Sequence, residues 1–469
     1  MTGPPPVPTW AGLPVCVAGL GVSGVVAAET LVRLGARVTV VDARSADPEM
    51  TRAGRLETMG ARVLLGPVTA TTLPAGTALV VTSPGWRPDA PLLVEAAGTH
   101  VPVWGEVELA WRLRPPGAAK WLAVTGTNGK TTTVRMLAAM LAAAGSRTIA
   151  AGNVGTPLLA AVQAEPAYDV LAVELSSFQL HWSSSLRPYA AAIVNLAPDH
   201  LDWHGSMAAY AAAKAKILSP DTHAVFNADD DRVAELFELA PARRRVSFTL
   251  QRPRTGQLGV AAGYLVDATS GGGTELAPVG DVRPAGPHNV ANALAAAALA
   301  LAYGAPADAV GQGLRAFAPD PHRNAAVATV GGVTYVDDSK ATNPHAAAAS
   351  LAAYPTVVWV AGGLAKGASY DDLVAAAAGR LRGAVLLGAD RGEIAATLRR
   401  HAPDLPVVEV AATETWAMDS VVRAAAELAV PGDTVLLAPA AASMDMFTDY
   451  RERGAAFAAA VRRLAGDGR

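Results

Sequence analysis

The chain has 469 residues, 38 Lys and Arg against 41 Asp and Glu, a formal net charge of −3 and 51% hydrophobic residues. That length accommodates two to four domains with sizeable cores, and the dispersed charges, with no basic block among aromatics, argue against nucleic-acid binding. The single cysteine, Cys16, lies inside an apolar run and reads as a small buried hydrophobe, so no disulfide framework exists. Residues 1–9 are Pro-rich without a basic start or an apolar centre, which predicts a disordered tail and not a signal peptide. The longest uncharged helical stretch, 292–305, is too short to span a bilayer, so no membrane insertion is expected and the cytoplasm is the expected compartment.

The β-prone run 15–18 leads into Gly19-Leu20-Gly21-Val22-Ser23-Gly24, then a helical pattern that stops at Gly35, then a second β run, 38–41, ending in Asp42. This is a βαβ unit with a G-x-G-x-x-G turn, and two readings stay open: a nucleotide diphosphate on the helix N-terminus with Asp42 near a ribose, or glycines that only permit close helix–strand packing. A further strand, 78–81, opens into Thr82-Ser83-Pro84-Gly85, whose hydroxyls are free for a ligand. The Pro/Gly stretch Arg114-Pro115-Pro116-Gly117 marks the expected end of a first domain.

A short apolar run from Trp121 meets Val124-Thr125-Gly126-Thr127-Asn128-Gly129-Lys130-Thr131-Thr132 and then an Ala/Leu-rich helix. That is strand, phosphate loop, helix: backbone N–H groups to close around phosphate, Lys130 to neutralise it, Thr131 to ligate Mg²⁺. The usual first glycine is replaced by Val124. Strands and helices alternate from here on, which predicts a largely parallel sheet with ligands at strand C-terminal ends. The polar residues at those ends include Asn153, Glu174, Asp199 and His200, and Asn227. Glu174 closes an apolar strand where NTPases place the acid that holds Mg²⁺. His200 reads equally as a ligand or as a hydrogen-bonding spacer, and Lys214 and Lys216 on the Ala-rich helix 207–218 read as structural. The stretch 251–280 is Gly- and Thr-rich and predicts a sheet excursion. It precedes a helix on which Asn289 and Asn292, spaced i and i+3, share a face.

A third α/β unit starts near Pro319-Asp320-Pro321-His322-Arg323, with strands at 333–336, 356–360, 384–387, 407–410 and 434–437. Its polar loops carry Asp337 to Asn343, Lys366, and Ser443-Met444-Asp445; Gly362-Gly363 lacks the third glycine of a dinucleotide fingerprint. The C-terminal stretch 454–464 predicts a helix, with Arg451, Arg453, Arg462 and Arg463 as solvated charges at its ends.

Gly19 to Gly24, Gly126 to Thr132, Asp338-Ser339-Lys340-Ala341-Thr342-Asn343 and Ala442-Ser443-Met444-Asp445-Met446-Phe447 with Arg453-Gly454 behind it together resemble the Mur ligase family of ATP-dependent amide-bond-forming enzymes, over nearly the whole chain. Within it the motifs are most similar to the D-glutamate-adding branch. The resemblance implies an α/β fold of three domains: a Rossmann-like N-terminal domain (1–116) for the UDP substrate, a central P-loop ATPase-type domain (117–319) with a mainly parallel sheet, and a Rossmann-like α/β C-terminal domain (320–469) for the amino acid. It implies ATP and one or two Mg²⁺ ions as cofactors, UDP-N-acetylmuramoyl-L-alanine and D-glutamate as substrates, and a monomer that adds D-glutamate through an acyl phosphate.

The same resemblance implies residue roles. Gly126, Thr127, Asn128, Gly129, Lys130, Thr131 and Thr132 match the triphosphate loop, and Glu174 and His200, with Thr131, the magnesium site. Lys214 matches a lysine carried as a carbamate, which reverses its structural reading, so Lys130, Glu174, His200 and Lys214 form the implied catalytic group. Asn289, Asn292, Arg323, Asp338 and Lys340 match ATP contacts. Val22, Ser23 and Asp42 match the UDP pocket, and Ser83 and Asn153 contacts to the muramoyl group. Thr342, Lys366, Ser443, Met444 and Tyr450 match the cradle for D-glutamate. The loop 364–369 departs from the pattern in having no acid, and Val124 and Ala441 are milder departures. Three rivals bear on these residues: a nicotinamide oxidoreductase, which leaves Lys130 and Glu174 unexplained; a P-loop switch or motor, which has no use for the first domain; and a folate-polyglutamylating ligase of the same family.

Overall fold

A computed structural model describes residues 9–467 apart from 243, 320 and 412–416; the expected N-terminal tail, Thr9 excepted, lies outside the described residues. The chain forms two compact units, Met1–Val279 with Ala291–Ala316, and Gly280–Val290 with Phe317–Arg469.

The first unit contains two sheets. Five parallel strands run in the order Arg62–Leu65, Arg37–Asp42, Pro14–Ala18, Leu79–Thr82, Val103–Gly105. The central ones are near-continuous in Val, Ala and Leu because helices cover both faces, the usual condition for a parallel sheet. Cys16 is fully buried there, and burial pushes its thiol up to about 12, so it behaves as a hydrophobe. The second sheet has nine strands, in the order Thr274–Pro278, Tyr264–Asp267, Gln257–Ala261, Arg244–Phe248, His223–Asn227, Ala190–Ile193, Lys120–Thr125, Val170–Glu174, Thr148–Gly152. Pairing is parallel from Gln257–Ala261 to Thr148–Gly152 and antiparallel over the remaining edge strands, which are the Gly- and Thr-rich excursion.

The second unit holds a six-stranded sheet in the order Ala325–Val330, Val333–Asp337, Thr434–Leu437, Val357–Gly362, Leu381–Leu387, Val407–Glu409. Only its first pair is antiparallel. Separate apolar clusters around Trp359 and Leu386 on one face, and Val360 and Phe457 on the other, cover it. The strands at Arg62–Leu65, Arg244–Phe248 and Ala325–Val330 were not among those read from the sequence; each is short and only partly buried, so its pattern carries little signal.

Two sheets of the first unit are joined by the helix Glu106–Leu113, an amphipathic segment with two buried acids. Glu106 Oε1 accepts from the Leu159 amide at 2.8 Å, at the start of the helix Leu158–Val162, where an acceptor meets unpaired N–H groups. Glu108 accepts from the amides of Ser184 and Ser185 (2.8 and 3.0 Å) and from Arg112 Nε at 2.6 Å. The Arg114 guanidinium lies 3.1 Å from the Trp111 ring centroid, and Trp111 meets Trp121 edge-on. One apolar core, including Val15, Leu31, Leu109, Trp121, Leu171 and Ile193, runs through both sheets, so they behave as one body.

Burial lifts the Glu106 carboxyl to about 7, against the two helix amides that oppose it. The folded state therefore binds this proton more tightly than the unfolded chain, and stability falls as pH rises from the ordinary 4.5 to about 7, then levels off. Glu106→Gln keeps an acceptor and removes the titration. Its urea midpoint should gain on that of the parent between pH 5 and pH 8, by up to about 3 kcal/mol in unfolding free energy; parallel pH profiles would contradict the assignment.

Candidate active site

Three adjacent parallel strands of the second sheet, Ala190–Ile193, Lys120–Thr125 and Val170–Glu174, end at one edge and deliver Asn195, the loop 126–130 and Glu174 together. Gly126 (φ +158) has no room for a side chain, since a Cβ would lie 2.5 Å from Val194 Cγ2. Gly129 (φ +79) turns the chain into the helix Lys130–Ala143, and a Cβ there would meet Asn292 Oδ1 at 2.3 Å. Asn292 Oδ1 also accepts from Thr133 Oγ1 at 3.2 Å. Lys130 Nζ folds back on its own loop, donating to the carbonyls of Gly126 (2.9 Å) and Thr127 (2.8 Å). Thr131 and Thr132 are buried in the first helical turn. The loop amides of Thr127 and Asn128, grouped with the cradle on sequence grounds, donate to Asn195 Oδ1 at 3.0 and 2.9 Å.

Glu174 is buried at its strand end. Oε1 accepts from Asn153 Nδ2 at 2.8 Å, while Oε2 is buried without any hydrogen-bond partner. A buried carboxylate oxygen left unpaired costs about 1–3 kcal/mol or more unless a cation or donor completes it. Lys214, the reversal of whose sequence reading rested on resemblance alone, is almost fully buried, with Nζ 2.7 Å from the Gly126 carbonyl and 4.5 Å from the Tyr210 ring. Burial first, and the neighbouring Lys130 second, push its amine well below the ordinary lysine value, against the pull of Asp199 and Glu174. Lys216 is exposed and donates to the His181 carbonyl, a structural contact. His200 stands at the head of the short helix Leu201–His204 with φ +54, its ring 4.7 Å from Phe178 and Nε2 3.7 Å from Asp199 Oδ2. Burial holds it below the usual histidine value, with Lys130 and Lys214 acting in the same direction. Among the described residues no three His, Cys, Asp or Glu side chains converge as a ready-made metal cluster. The oxygen-bearing groups at this strand edge are Glu174, with its spare oxygen, and the Thr131 hydroxyl. Oxygen donors of this kind fit a hard divalent ion.

At the first sheet the two readings of the glycine turn divide by residue. Gly19 and Gly24 serve packing, since a Cβ on Gly24 would stand 1.9 Å from the Gly19 carbonyl. Gly21 has nothing within 4 Å of a built Cβ and φ −75, so no protein neighbour requires glycine and the space above the helix is open. Beside it lie exposed Val22, half-buried Ser23, and Ser83, whose Oγ is 3.5 Å from the Gly19 carbonyl. Asp42 accepts from the Leu20 amide at 2.7 Å and from the Arg44 amide and guanidinium at 2.9–3.1 Å. Burial alone would raise its carboxyl, but these donors outweigh it and hold it below the usual range. Arg44, which sequence reasoning passed over, is thereby held with an exposed guanidinium at this strand end, and its only sequence signal was its place two residues after Asp42.

In the second unit, Asp338 is buried, takes hydrogen bonds from Ser350 Oγ and the Asn324 amide, and is pushed up to about 6 by burial. Arg323 and Asn324 border a cavity of about 490 Å³ with Arg283, Pro284 and Tyr354, large enough for a small ligand. Asn289 is buried nearby in sequence, in the first turn of the helix Pro287–Tyr303. Lys340 Nζ lies 4.1 Å from the Tyr450 ring, and half-buried Thr342 follows it. Lys366 is exposed with φ +51; its acid-free loop borrows a carboxylate from the next strand end, Asp390 Oδ2 accepting from the Ala365 amide at 2.8 Å. Ser443 is buried and Met444 exposed.

One reading of the C-terminal helix is corrected. Arg453 is not a solvated charge; it is 1% exposed, and the guanidinium donates to Ser339 Oγ (3.0 Å) and to the carbonyls of Ser339 (3.0 Å), Gly362 (3.3 Å) and Ala441 (3.1 Å). It ties together the three loops that carry Lys340 and Thr342, Lys366, and Ser443. Arg451, Arg462 and Arg463 are exposed.

A parallel-sheet α/β fold with a phosphate-type loop beside a buried acid and a buried lysine, followed by a separate α/β unit, defines a P-loop ligase architecture. Family patterns match it in three blocks: "Mur ligase MurD-like, N-terminal domain" over residues 14–105, "Mur ligase middle domain" over 124–300, and "Mur ligase, glutamate ligase domain" over 322–441. The chain belongs to the Mur ligase family. It is 62% identical over 464 residues to the UDP-N-acetylmuramoylalanine–D-glutamate ligase of Thermobifida fusca, covering 97% of this chain and 99% of that one. It is 60% identical to the protein of the same name from Streptomyces avermitilis, with the same coverage. Among solved structures, the UDP-N-acetylmuramate-alanine ligase of Thermotoga maritima shares the fold at a TM-score of 0.57 and 20% identity, over 97% of this chain and all of that one.

Arg453→Met removes every donor and leaves three buried carbonyls unpaired, at about 1–3 kcal/mol each before relaxation. Thermal unfolding should show the second unit destabilised by about 3 kcal/mol or more, with Arg453→Lys, a single ammonium in place of a fork, recovering only part of it.

Proposed function

We propose that this chain joins D-glutamate to UDP-N-acetylmuramoyl-L-alanine with cleavage of ATP, through an acyl phosphate, as a cytoplasmic monomer supplying peptidoglycan precursors. Its relatives' names point to this reaction, and no helix among the described residues is long and apolar enough to cross a membrane. The observation that carries the reading is the unpartnered buried Glu174 oxygen beside a lysine that burial drives towards its neutral form. In this reading residues 1–116 hold the UDP substrate, 117–319 the ATP and 320–469 the amino acid.

A neutral amine is the form that adds carbon dioxide: the Lys214 nitrogen bonds to carbon, a proton leaves, and the product is a carbamate anion. That change turns the cation beside Lys130 into an oxygen donor. Mg²⁺, one ion or two, held by Glu174, His200, the carbamate and the Thr131 hydroxyl, would supply positive charge where two anions must approach. Lys130 and the first amides of its helix hold the triphosphate, with Gly126, Thr127, Asn128, Gly129 and Thr132 shaping the loop. Asn292 is assigned to this nucleotide; in the second unit Asn289, Arg323, Asp338 and Lys340 are assigned nucleotide contacts, and the 490 Å³ cavity beside Arg323 could admit a small ligand group. Val22, Ser23 and Asp42, the last by fixing Arg44, are assigned to the uridine diphosphate, and Ser83 and Asn153 to the muramoyl group.

The alanyl carboxylate oxygen attacks the γ-phosphorus and ADP departs. The D-glutamate amine then attacks the acyl carbon, loses a proton, and inorganic phosphate leaves as the amide forms. Thr342, Lys366, Ser443, Met444 and Tyr450 are assigned to holding that amino acid, which as a dicarboxylate suits a surface carrying Lys340 and Lys366.

Phosphate release from ATP, measured with UDP-N-acetylmuramoyl-L-alanine and each candidate amino acid, should be stimulated by D-glutamate; stimulation by a different amino acid instead would reassign the substrate. Lys366→Ala should raise the KM for D-glutamate about tenfold or more, the loss of one charged hydrogen bond, with the KM for ATP nearly unchanged. An unaltered D-glutamate KM would remove Lys366 from the cradle.

A further inference from the structure

The carboxamide of Asn195 makes an unusually complete set of contacts with the phosphate loop. Its Oδ1 accepts from the amides of Thr127 (3.0 Å) and Asn128 (2.9 Å), its Nδ2 donates to the Asn128 carbonyl (3.0 Å), and its own carbonyl accepts from the Thr127 amide (3.1 Å). Both faces of the amide are therefore used, and they pin two consecutive loop residues on the N-terminal side of Gly129. The Thr127 side chain is pinned as well, between the Ala197 backbone and Tyr210 Oη.

In a phosphate loop, consecutive backbone N–H groups are the donors that receive phosphate oxygens. Here a protein oxygen, Asn195 Oδ1, takes the first two. We propose that Asn195 is a positioning residue for the triphosphate, resting on the reading of this loop as the ATP site. It holds the first half of the loop in a fixed shape by acting as a resident acceptor, and so leaves phosphate binding to the Lys130 ammonium and the first turn of the helix Lys130–Ala143. This accounts for a loop that works with Val124 in place of the usual first glycine: a loop whose leading amides are capped by a side chain does not have to wrap the phosphates from that end. Val124 stays inside the strand, paired with Glu174 and Ala192 across its two neighbours. The geometry also fixes the residue type. Only a carboxamide of this length offers an acceptor for two N–H groups and a donor for the carbonyl that follows them.

Isothermal titration with Mg·ATP and, separately, with UDP-N-acetylmuramoyl-L-alanine tests this on the full chain, alongside steady-state KM values and the thermal midpoint. Asn195→Ala should weaken Mg·ATP at least about tenfold, the cost of taking the side-chain acceptor from the Asn128 amide and leaving the Thr127 amide only the Asn195 backbone carbonyl. Affinity for the UDP substrate and the KM for D-glutamate should stay within about twofold. Asn195→Asp keeps the shape and both accepted bonds, so it guards against a variant that fails to fold. It loses the donation to Asn128 and sets a carboxylate beside the triphosphate, and it should bind Mg·ATP at least as poorly as the alanine variant, with a thermal midpoint close to the parent. Parental Mg·ATP affinity in either variant, or an equal loss for both ligands, would overturn the inference. A parent protein that binds Mg·ATP but releases no phosphate with any amino acid would reject the proposed reaction while leaving the Asn195 comparison valid.

Discussion

Two lysines meet on one carbonyl oxygen. Lys130 Nζ and Lys214 Nζ both donate to Gly126 O, at 2.9 and 2.7 Å, so two potential ammonium groups point at one small, partly negative atom. Unlike charges would stabilise such a spot; like charges cannot, and at this separation the Lys130 ammonium disfavours protonation of Lys214. The conflict is resolved unequally. Lys130 is half-buried and keeps a second carbonyl, that of Thr127, whereas Lys214 is sealed beneath it and is the one driven towards neutrality. Negative charge brought to this strand end would relieve the repulsion between the two amines.

The surrounding architecture makes that conflict sustainable. The strand Lys120–Thr125 is flanked on both sides by parallel strands that end level with it, so the edge presents Glu174, Gly126 and Asn195 in a row. Parallel neighbours need crossover connections, and the strand ends are the place where side chains can gather without competing with sheet hydrogen bonds. Gly126 and Gly129 are indispensable to it for steric reasons, each lacking space for a methyl group against Val194 or Asn292. The helix Glu106–Leu113, with its two buried acids, locks the first sheet to this framework, so the strand that leads to the Gly21 turn shares one core with the phosphate-loop strand.

Much of this was legible in the sequence because the relevant signals are local. The strand–loop–helix junction at Lys130, the acid ending the strand at Glu174 and the alternating elements all depend on residues adjacent in the chain. What escaped was non-local. Asn195 looks like one more polar residue after a strand, and only the sheet order, which seats that strand beside the phosphate-loop strand, gives it two loop amides to accept from. Arg453 sits among other arginines in a charged helical stretch, and composition favours a solvated reading; its burial follows from the small residues around it, since Gly363 leaves a guanidinium nitrogen 3.2 Å from where a Cβ would be. Lys214 was misread from residues alone for the same reason: helical position says surface, and only the packing of Tyr210 and the loop against it says otherwise.

Arg453 carries this one step further. A buried cation usually faces a carboxylate, yet the hydrogen bonds this guanidinium makes go to neutral oxygens, with Asp445 and Asp337 attracting it only through space. Replacing it by an apolar residue of similar volume would remove a desolvation cost but would also release three strand-end loops at once. Its charge is offset by those two acids only through space, beneath loops that already carry Lys340 and Lys366, and so adds to the positive potential at those strand ends. A neutral tether could hold the loops; a cationic one also favours an anionic ligand over them. The second unit thus couples shape and charge in one side chain, and the loops that it orders are the ones where a dicarboxylate is expected to bind.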